Sequence, residues 1–354
     1  MRFPMSHARV AALLLCGGLL SFAEPSRFIR RNPVQKNFSA SSLVTLQNDF
    51  LTADFARDSL GRLVSLRYLG EELLTPFERT VWVGNPLMET SSSNVFGLRE
   101  LLWGVRMTTL DLPVDSVERY GDNGLDLVAS NYGNTPLKLT RHVSVAKEGC
   151  LLRYEVQLTN QGASPYSYSL WLNLIPRQPF HPIIPLADGL LKSFALGNNF
   201  HSADENWLAA RLEKPAVVLA LSWAHQELEP DGRFYSHGAP NFNTFEAILG
   251  KRTLAAGESG THAYSLLILP GLPRLNALLD TIGIAVISAD SGYRLLFSAA
   301  EPTPSRQMQL RLADGKETTL AIPALTPGKL WETTMQNRPQ SIILEGKQEC
   351  PFHY

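Results

Sequence analysis

The 354-residue sequence has no excess of charge of either sign. It contains 32 Lys and Arg against 33 Asp and Glu, a formal net charge of −1, and charged residues make up 18% of the chain. Proteins that bind nucleic acids present a basic domain or a basic stripe to the phosphates. Because this chain has no such excess, we expect no nucleic-acid partner.

Short motifs of several enzyme classes are absent as well. The sequence has no P-loop, no G-x-G-x-x-G after a predicted strand, no G-x-S-x-G and no H-E-x-x-H. These motifs bind phosphates, position a serine nucleophile or bind zinc. We therefore expect no nucleotide cofactor, no resident metal and no serine hydrolase of that type. Whether the protein is an enzyme at all stays open.

Long hydrophobic runs are confined to the N-terminus. Residues 1–23 begin with the basic Arg2 and Arg9, continue with VAALLLCGGLLSFA and end with small side chains at Ser21 and Ala23. A basic start, a short apolar run and small residues at positions −3 and −1 predict a cleavable secretory signal peptide. The predicted location of the mature protein is therefore secreted or periplasmic.

A lipoprotein signal with Cys16 as the anchored residue is an alternative interpretation of the same segment. Leu15 stands where that signal requires a small side chain, which favours the cleavable signal peptide. Residues 24–42 are then an N-terminal linker. No later stretch reaches the roughly 18–20 consecutive apolar residues of a membrane-spanning helix, so we expect no membrane span.

Cysteine is scarce, and Cys16 leaves the protein with the signal peptide. Cys150 and Cys350 remain. In an oxidising compartment these two can form a disulfide that ties the C-terminal tail to the main body. Two buried free thiols are the other interpretation, and the sequence leaves both open.

From Leu43 onward the sequence consists mostly of short strand patterns. Segments such as LVTLQND, LTADFAR and LVSLRYLG alternate apolar and polar residues, and turn residues separate them. Regular short strands of this kind predict an all-β sandwich or barrel. One helix is predicted over 272–283, where leucines recur on one side after Pro273. We place a domain boundary there, between 43–284 and a small C-terminal β unit, 285–354.

Two strand patterns flank a predicted turn at 160–165. In the first, an apolar face alternates with a polar one; the apolar residues are Leu152, Tyr154, Val156 and Leu158. In the second, Trp171 and Asn173 alternate with the leucines at 170, 172 and 174. We expect a hairpin with one face in the core and the other, bearing Trp171 and Asn173, in solvent.

This combination of side chains suits a sugar. An aromatic ring stacks against the C–H face of a sugar ring, and amide, guanidinium and carboxylate groups bind its hydroxyls. Trp171 and Asn173 supply a ring and an amide, and Arg177 and His181 follow in a proline-rich loop. The other interpretation is that a loop covers Trp171 and makes it a core residue.

A second polar cluster comprises His225, Glu227, Arg233, His237 and, shortly after them, Glu246. Glu227 or Glu246 with a His partner would satisfy the needs of acid–base chemistry on a sugar. A metal site made of His225, Glu227 and His237 is a second interpretation, although the three follow no tight ligand motif. The third is that these are solvated residues at strand ends.

Three segments of the chain resemble a known superfamily. They are LVTLQNDFLTADFARDSLGRLVSLRYLGEELL, LLRYEVQLTNQGASPYSYSLWLNLIP and ILGKRTLAAGESGTHAYSLLIL. In that order they are similar to the opening strands, the central strand pair and the closing strands of the galactose mutarotase-like superfamily. The resemblance implies a large antiparallel β-supersandwich over about residues 43–270, with carbohydrate on its concave sheet, followed here by a small C-terminal β-sandwich-like domain.

The resemblance also bears on catalysis. Epimerases of the superfamily use a His on the central return strand as acid and a Glu before the closing strands as base. Glu246 has the position of that base, whereas Trp171 and Asn173 stand on the strand where the His belongs. This departure favours a divergent member that recognises a sugar without acting as a mutarotase.

Three functions are compatible with the sequence and the resemblance. The first is a carbohydrate-binding protein, with Trp171 as the stacking ring and with Arg177 and Arg233 bound to hydroxyls or to a uronate carboxylate. The second is a carbohydrate-active enzyme (an epimerase, lyase or hydrolase) with Glu246 or Glu227 as its base. The third is a structural or assembly protein of the cell envelope, whose C-terminal β unit binds a protein partner.

Overall fold

β-Strands account for the regular structure of the chain. The computed structural model describes residues 42–75, 97–103, 112–133, 135–187, 189–191, 193, 195–203, 205–239, 242–344 and 349–354, so the predicted signal peptide and almost all of the predicted linker lie outside it. These residues contain 28 strands and a 3₁₀ turn at His225–Leu228, and no α-helix. The all-β prediction is confirmed. No helix in these ranges has the length and apolar character needed to cross a bilayer.

The first twenty strands build the larger part of the fold. They are β1 (Leu43–Gln47), β2 (Leu51–Ala56), β3 (Arg62–Tyr68), β4 (Glu71–Glu72), β5 (Gly97–Leu102), β6 (Ser116–Tyr120), β7 (Gly124–Ala129), β8 (Leu137–Val145), β9 (Leu151–Asn160), β10 (Tyr166–Tyr168), β11 (Leu170–Ile175), β12 (His181–Leu186), β13 (Gly189–Leu191), β14 (Gly197–Ser202), β15 (Trp207–Leu212), β16 (Val217–Trp223), β17 (Arg233–Ala239), β18 (Phe242–Ile248), β19 (Arg252–Leu254) and β20 (Ser259–Pro270). The last eight are β21 (Ala277–Leu279), β22 (Ile282–Ala289), β23 (Gly292–Ala299), β24 (Arg306–Leu312), β25 (Glu317–Ile322), β26 (Leu330–Met335), β27 (Pro339–Leu344) and β28 (Glu349–Pro351).

These strands form four main sheets. The first sheet has the order β1-β2-β3-β5-β11-β18-β17-β14, with β4 paired to β3, and the second has the order β13-β12-β15-β16-β20-β9-β8-β7-β6. The third sheet is β21-β22-β23-β26, the fourth is β25-β24-β27-β28, and β10 and β19 form a separate pair. The central pairs of both large sheets are antiparallel.

Hydrophobic clusters between the sheets stack them in four layers. Strand β20 is buried on both sides: Leu266 and Ile268 belong to the main core between the first and second sheets, whereas Leu267 and Leu269 contact the third sheet. This double burial explains the continuous apolar run SLLIL in the sequence. A further cluster, which includes Phe297 of β23, lies between the third and fourth sheets. The C-terminal sheets therefore cover the back of the second sheet, on the side away from the first sheet.

Strand β9 alternates as the sequence predicts. Leu152, Tyr154, Val156 and Leu158 are buried in the main core, and Arg153 and Glu155 are exposed. The second sheet thus has an apolar face toward the first sheet, which is the arrangement that period-two patterning favours.

The predicted hairpin between β9 and the next strand is wrong. β9 pairs with β8 and β20 in the second sheet, whereas β11 pairs with β5 and β18 in the first. Asn160 holds the chain after β9 against a distant segment. Its amide nitrogen donates to the carbonyl of Leu254 in β19 (3.1 Å), and its amide oxygen accepts from the N–H of Gly162 (2.9 Å). The segment that the sequence presents as a turn is a crossing from one sheet to the other.

The predicted helix over 272–283 is also wrong, since this segment contains strand β21. Leu272, Leu275 and Leu278 are buried between the second and third sheets. Asn276 holds the segment extended, because its amide oxygen accepts from the N–H of Val286 (2.8 Å) and its amide nitrogen donates to the C-terminal backbone. The leucine spacing reflects burial on several sides and not a helical stripe.

Strand β22 runs without a break through residue 284, the predicted domain boundary. The hydrophobic cluster between the third and fourth sheets begins at Ala277, a few residues before it. The division of the chain into 43–284 and 285–354 stays a prediction.

The two cysteines lie in different hydrophobic clusters and form no disulfide with each other. Cys150 belongs to the main core, and Cys350 packs against the cluster of the C-terminal sheets. Burial raises the pKa of each thiol to about 12. Both thiols are therefore protonated near neutral pH and poorly reactive. Of the two interpretations left open above, the structure has the free thiols.

A buried ion pair joins the first sheet to the second. Arg141 of β8 donates from Nε to Oε1 of Glu100 on β5 at 2.8 Å, and its Nη2 contacts the other carboxylate oxygen. The hydroxyl of Tyr264 on β20 donates to the same carboxylate at 2.5 Å. Arg141 also donates to the backbone carbonyls of Leu60 and Gly61 at 2.7 and 3.0 Å. Such additional hydrogen bonds are what a buried ion pair needs to offset its desolvation.

We expect removal of one partner to cost more than removal of both. Arg141→Met leaves the Glu100 carboxylate buried without a counter-ion, which should lower the free energy of unfolding by about 3–5 kcal/mol. Glu100→Leu should cost a similar amount. The double variant exchanges both charges for apolar groups and should recover at least half of the summed loss. Urea denaturation of the four proteins measures this double-mutant cycle, and strictly additive losses would show that the pair is not coupled.

Candidate functional site

Four adjacent strands of the first sheet carry a row of polar residues on its outer face. Arg99 on β5 pairs with Asn173 on β11, Asn173 pairs with Glu246 on β18, and Glu246 pairs with Tyr235 on β17. Directly paired residues of antiparallel strands point to the same face. We call Arg99, Asn173 and Glu246, all three buried, the polar floor. Glu100 points to the core, so the pleat of β5 sends Arg99 to this outer face.

Four aromatic side chains border the polar floor, and we call them the aromatic rim: Trp103, Trp171, Phe200 and Tyr235. The ring centres of Trp103 and Trp171 lie 5.1 Å apart at an interplanar angle of 76°. Phe200 lies 5.5 Å from Trp103 and 5.1 Å from Tyr235. Phe200 is 48% exposed and Trp103 is half-buried, so this part of the rim is open to solvent.

Arg233 reaches across the aromatic rim from β17. Its guanidinium carbon lies 5.7 Å from the centre of the Trp103 ring and 5.5 Å from the centre of the Phe200 ring. β18 and β11 separate β17 from β5, so the side chains of Arg233 and Trp103 meet over these two strands. Cation–π contacts of this kind hold a guanidinium in place without using its hydrogen-bond donors.

Buried polar atoms without partners are concentrated here. Half of the ten that the described residues contain belong to the floor, the rim and Arg233; they are Arg99 Nε, Trp171 Nε1, Asn173 Oδ1, Arg233 Nε and Glu246 Oε2. Leaving such an atom unpaired costs about 1–3 kcal/mol, and native proteins contain few of them. This face therefore holds an unusual set of unused donors and acceptors.

The carboxyl group of Glu246 titrates near neutral pH. Burial raises its pKa from 4.5 to about 7. The Thr244 hydroxyl, which donates to Oε1 at 2.6 Å, and the charge of Arg99 act in the opposite direction. The side chains of Trp171 and Asn173 also lower the pKa, although Oε2 has no hydrogen bond of ordinary geometry with a described residue. A carboxyl group with a pKa near 7 exchanges protons readily at physiological pH, as a general acid or base must.

The structure brings together five of the residues predicted from the sequence. They are Trp171, Asn173, Arg233, His237 and Glu246, all on the outer face of β11, β17 and β18. His237 pairs with Thr244, in the row next to Glu246, and burial lowers the pKa of its imidazole.

The exposure of β11 differs from the prediction. Trp171 is 8% exposed and Asn173 is 2% exposed. The rings of Trp103 and Tyr235 contact Trp171 and shield it. This face is polar, as expected, but it is not in open solvent at this strand.

Two predicted residues lie elsewhere. Arg177 follows β11 and is half-exposed, with Nη1 3.9 Å from Glu71. His181 begins β12 in the second sheet, and its Nε2 lies 3.3 Å from Glu213. The proline-rich loop therefore carries the chain out of the first sheet, and it does not bring these side chains to the polar floor.

His225 and Glu227 lie in the 3₁₀ turn after β16. Glu227 Oε2 accepts from Arg252 Nη2 and from His262 Nδ1, both at 2.7 Å, and His262 Nε2 lies 3.0 Å from the Tyr168 hydroxyl. His225 is exposed. The His partner of Glu227 is therefore His262, and the network is a satisfied, buried one that is separate from the polar floor.

The metal interpretation of His225, Glu227 and His237 finds no support in the geometry. Within the ranges that the structure describes, no three His, Cys, Asp or Glu side chains come together as ligands. Arg252 and His262 engage the Glu227 carboxylate, and His237 belongs to a different element.

Sequence reasoning missed Arg99, Trp103, Phe200 and Tyr235. The signal for the first two is the segment GLRELLW (97–103), in which a charged pair interrupts an apolar run. Adjacent residues of a strand face opposite ways, so one charged side chain of such a pair points to the core and the other to the outer face. Phe200 and Tyr235 lie in short strands whose pairing, Phe200 with Tyr235, joins residues 35 positions apart in the sequence.

No family model matches the sequence, and no curated protein matches it significantly. Among solved structures, a TPR-domain-containing protein from Parabacteroides distasonis is 16% identical with a TM-score of 0.50, over 65% of this chain and 49% of that protein. This chain thus spans about half the length of the Parabacteroides protein. At this identity the likeness is one of fold.

Other similar structures have sugar-related names. A putative aldose 1-epimerase from Escherichia coli is 14% identical with a TM-score of 0.47, over 64% of this chain and 99% of that one. A heparan sulfate lyase from Pedobacter heparinus is 10% identical with a TM-score of 0.43, over 77% of this chain and 39% of that one. Galactose mutarotase-like proteins from Lactobacillus casei and Clostridium acetobutylicum are also among them. The aldose 1-epimerase and mutarotase-like structures among them are 9–14% identical to this chain.

Glu246 predicts a pH dependence of stability. Because its folded pKa of about 7 lies above the ordinary 4.5, the folded state binds the proton more tightly than the unfolded state does. The resulting stabilisation is full below about pH 4.5 and is lost as the pH rises through 7. Relative to Glu246→Gln, the wild-type protein should lose about 2–3 kcal/mol of unfolding free energy between pH 5 and pH 8.

Urea denaturation at a series of pH values measures this difference. The exposed Glu213 provides the matched control, since Glu213→Gln should leave the wild-type profile unchanged. Parallel profiles for wild type and Glu246→Gln would show that the carboxyl group titrates at its ordinary pKa.

Proposed function

We propose that the protein binds a saccharide on the outer face of the first sheet, over the polar floor and the aromatic rim. The main support is the set of unpartnered buried polar atoms that lies beside rings open to solvent. A saccharide is complementary to both features, because its C–H faces are apolar and its hydroxyls donate and accept hydrogen bonds. The resemblance to the galactose mutarotase-like superfamily favours the same ligand class.

The exposure of the rings decides which of them stacks on the sugar. Trp171 is too deeply covered to offer its face, so the stacking role predicted for it passes to Trp103 and Phe200, which are more exposed. Trp171 contributes its indole N–H instead, as a donor beside the floor. Asn173 and Glu246 supply unpaired oxygens as acceptors.

The proposal includes the export predicted from residues 1–23, so that binding takes place in the periplasm or outside the cell. The described residues of 285–354 (285–344 and 349–354) lie on the far side of the second sheet from this site. Attachment of that unit to a partner in the cell envelope stays a separate hypothesis.

Saccharide binding predicts a loss of affinity when the open part of the rim is removed. Trp103→Ala deletes a stacking ring and should weaken binding of a saccharide found in the screen about fivefold, because an aromatic contact of this type contributes around 1 kcal/mol. A glycan array and a thermal-shift panel identify the ligand, and calorimetry gives the affinities.

Trp331→Ala is the matched control. Trp331 is a partly buried Trp in the third sheet, where it packs on Phe297, and its loss should change stability without changing affinity. Absence of binding to every mono- and oligosaccharide of the panel would defeat the proposal.

A carbohydrate-active enzyme is the second candidate, and the titration of Glu246 near pH 7 favours it. In this role Glu246 transfers a proton to or from the sugar. His237 is the predicted His that stands nearest in register, one row along on the adjacent strand. Glu227 is unsuited to the role, because Arg252 and His262 already occupy its carboxylate.

The two candidates differ in the response to Glu246→Gln. For an enzyme, this variant should lower turnover of a bound saccharide by about 10²-fold or more, the usual contribution of a general acid or base, while affinity changes little. Product formation followed by mass spectrometry measures turnover. Glu227→Gln serves as the control for a buried carboxyl group outside the site, and equal losses in both variants would contradict a catalytic Glu246.

A further inference from the structure

The site has more positive than negative charge. Arg99 and Arg233 both belong to it, and Glu246 is the acidic residue on the outer face among the described residues of β5, β11, β17 and β18. The pKa of Glu246 is about 7, so this carboxyl group is charged only part of the time at neutral pH. Burial lowers the pKa of His237, which keeps its imidazole neutral. The face therefore has a net charge between +1 and +2, counted from two guanidinium groups and one partly ionised carboxyl group.

Among the described residues, neither guanidinium forms an ion pair in direct contact with a carboxylate. Arg99 is buried, its Nε has no hydrogen-bond partner in the described chain, and Glu246 acts on it through its charge. Arg233 contacts the rings of Trp103 and Phe200, and its buried Nε also lacks a partner among the described residues. Burial of a charge without a counter-ion is unfavourable. An anion at this place would relieve it.

Arg99 and Arg233 lie in adjacent rows of the same sheet face. Asn173 shares the row of Arg99, and Trp171 shares the row of Arg233. The charge of Glu246 on β18 acts on Arg99, and the Arg233 guanidinium lies against the Trp103 ring. A guanidinium binds the oxygens of a carboxylate or sulfate through two parallel hydrogen bonds, so two arginines on one sheet face suit an oxyanion.

We propose that the site takes an acidic saccharide, whose carboxylate or sulfate group is bound by Arg233 and Arg99 while its ring lies against Trp103 and Phe200. This inference depends on the proposed saccharide binding and adds the charge of the ligand. Arg177, which the sequence suggested for a uronate, has no part in it, because it lies in the loop beside Glu71. Arg99 is the second arginine proposed to bind the carboxylate or sulfate group.

The experiment compares saccharides that differ only in charge. Isothermal calorimetry on the full mature chain is carried out with uronic-acid oligosaccharides, with their methyl esters, and with neutral and sulfated oligosaccharides of the same length, at low and at high salt. The acidic forms should bind at least tenfold more tightly than the esters, and salt should weaken their binding. The carboxylate and sulfate arms show which oxyanion the ligand carries.

Arg233→Gln tests the role of the guanidinium. Loss of a charged hydrogen bond should weaken binding of the acidic saccharide about 10- to 100-fold, with less than about a threefold change for a neutral one. Arg177→Gln is the matched control, since it removes the same charge from a half-exposed Arg outside the site. Arg233→Lys keeps the charge and should lose only part of the affinity.

The possible results separate the two proposals. Equal affinity for the acid and its methyl ester, or equal losses in Arg233→Gln and Arg177→Gln, would overturn the preference for an acidic saccharide and leave saccharide binding intact. No binding of any saccharide would overturn both. Tight, salt-sensitive binding of the acid that is lost in Arg233→Gln alone would establish the inference.

Discussion

The buried ion pair between Glu100 and Arg141 is the constraint on which the arrangement of the site depends. It connects β5 in the first sheet with β8 in the second, and Tyr264 and the carbonyls of Leu60 and Gly61 complete its hydrogen bonds. A one-residue slip of β5 would turn Glu100 to the outer face and place Arg99 or Leu101 against Arg141, depending on its direction. By excluding that slip, the pair keeps the neighbouring Arg99 on the outer face. The ion pair thus fixes the position of one residue of the proposed site.

The charged side chains on the two faces of β5 differ in how completely they are hydrogen-bonded. Toward the core, each atom of the Glu100 carboxylate has a partner, as stability requires. Toward the outer face, Arg99 and Glu246 lie near each other with atoms left unpaired. Functional sites commonly keep such unsatisfied groups at a cost that the rest of the fold offsets. Here the large apolar core between the two nine-stranded sheets is the part of the fold that offsets the cost of the polar floor.

Period-two patterning was sufficient to predict the all-β class, the buried face of β9 and the common face of Trp171 and Asn173. It could not predict which strands pair, because pairing depends on contacts far apart in sequence. Asn160 shows the difficulty: its side chain turns the chain into another sheet, although its surroundings read as a hairpin turn. The leucines of 272–283 show a second difficulty. Residues buried on several sides can have the same spacing as the apolar face of a helix. Arg99 was missed because the sequence alone does not show which residue of the charged pair faces the core. Only the pairing of β5 and the contact between Glu100 and Arg141 show that Glu100 points inward and Arg99 outward.

The strand order has a consequence for the timing of assembly. In the second sheet, β20 (Ser259–Pro270) lies between β16 and β9, and in the first sheet β18 lies between β11 and β17. During synthesis, β9 and β16 are made before β20, the strand that lies between them. Until β20 is made, the edge of each that pairs with β20 stays unpaired. Non-local pairing of this kind slows folding, and open edges invite incorrect partners. A chain that stops before Ser259 consequently contains every strand of the first sheet but lacks β20, and its second sheet is divided between β16 and β9.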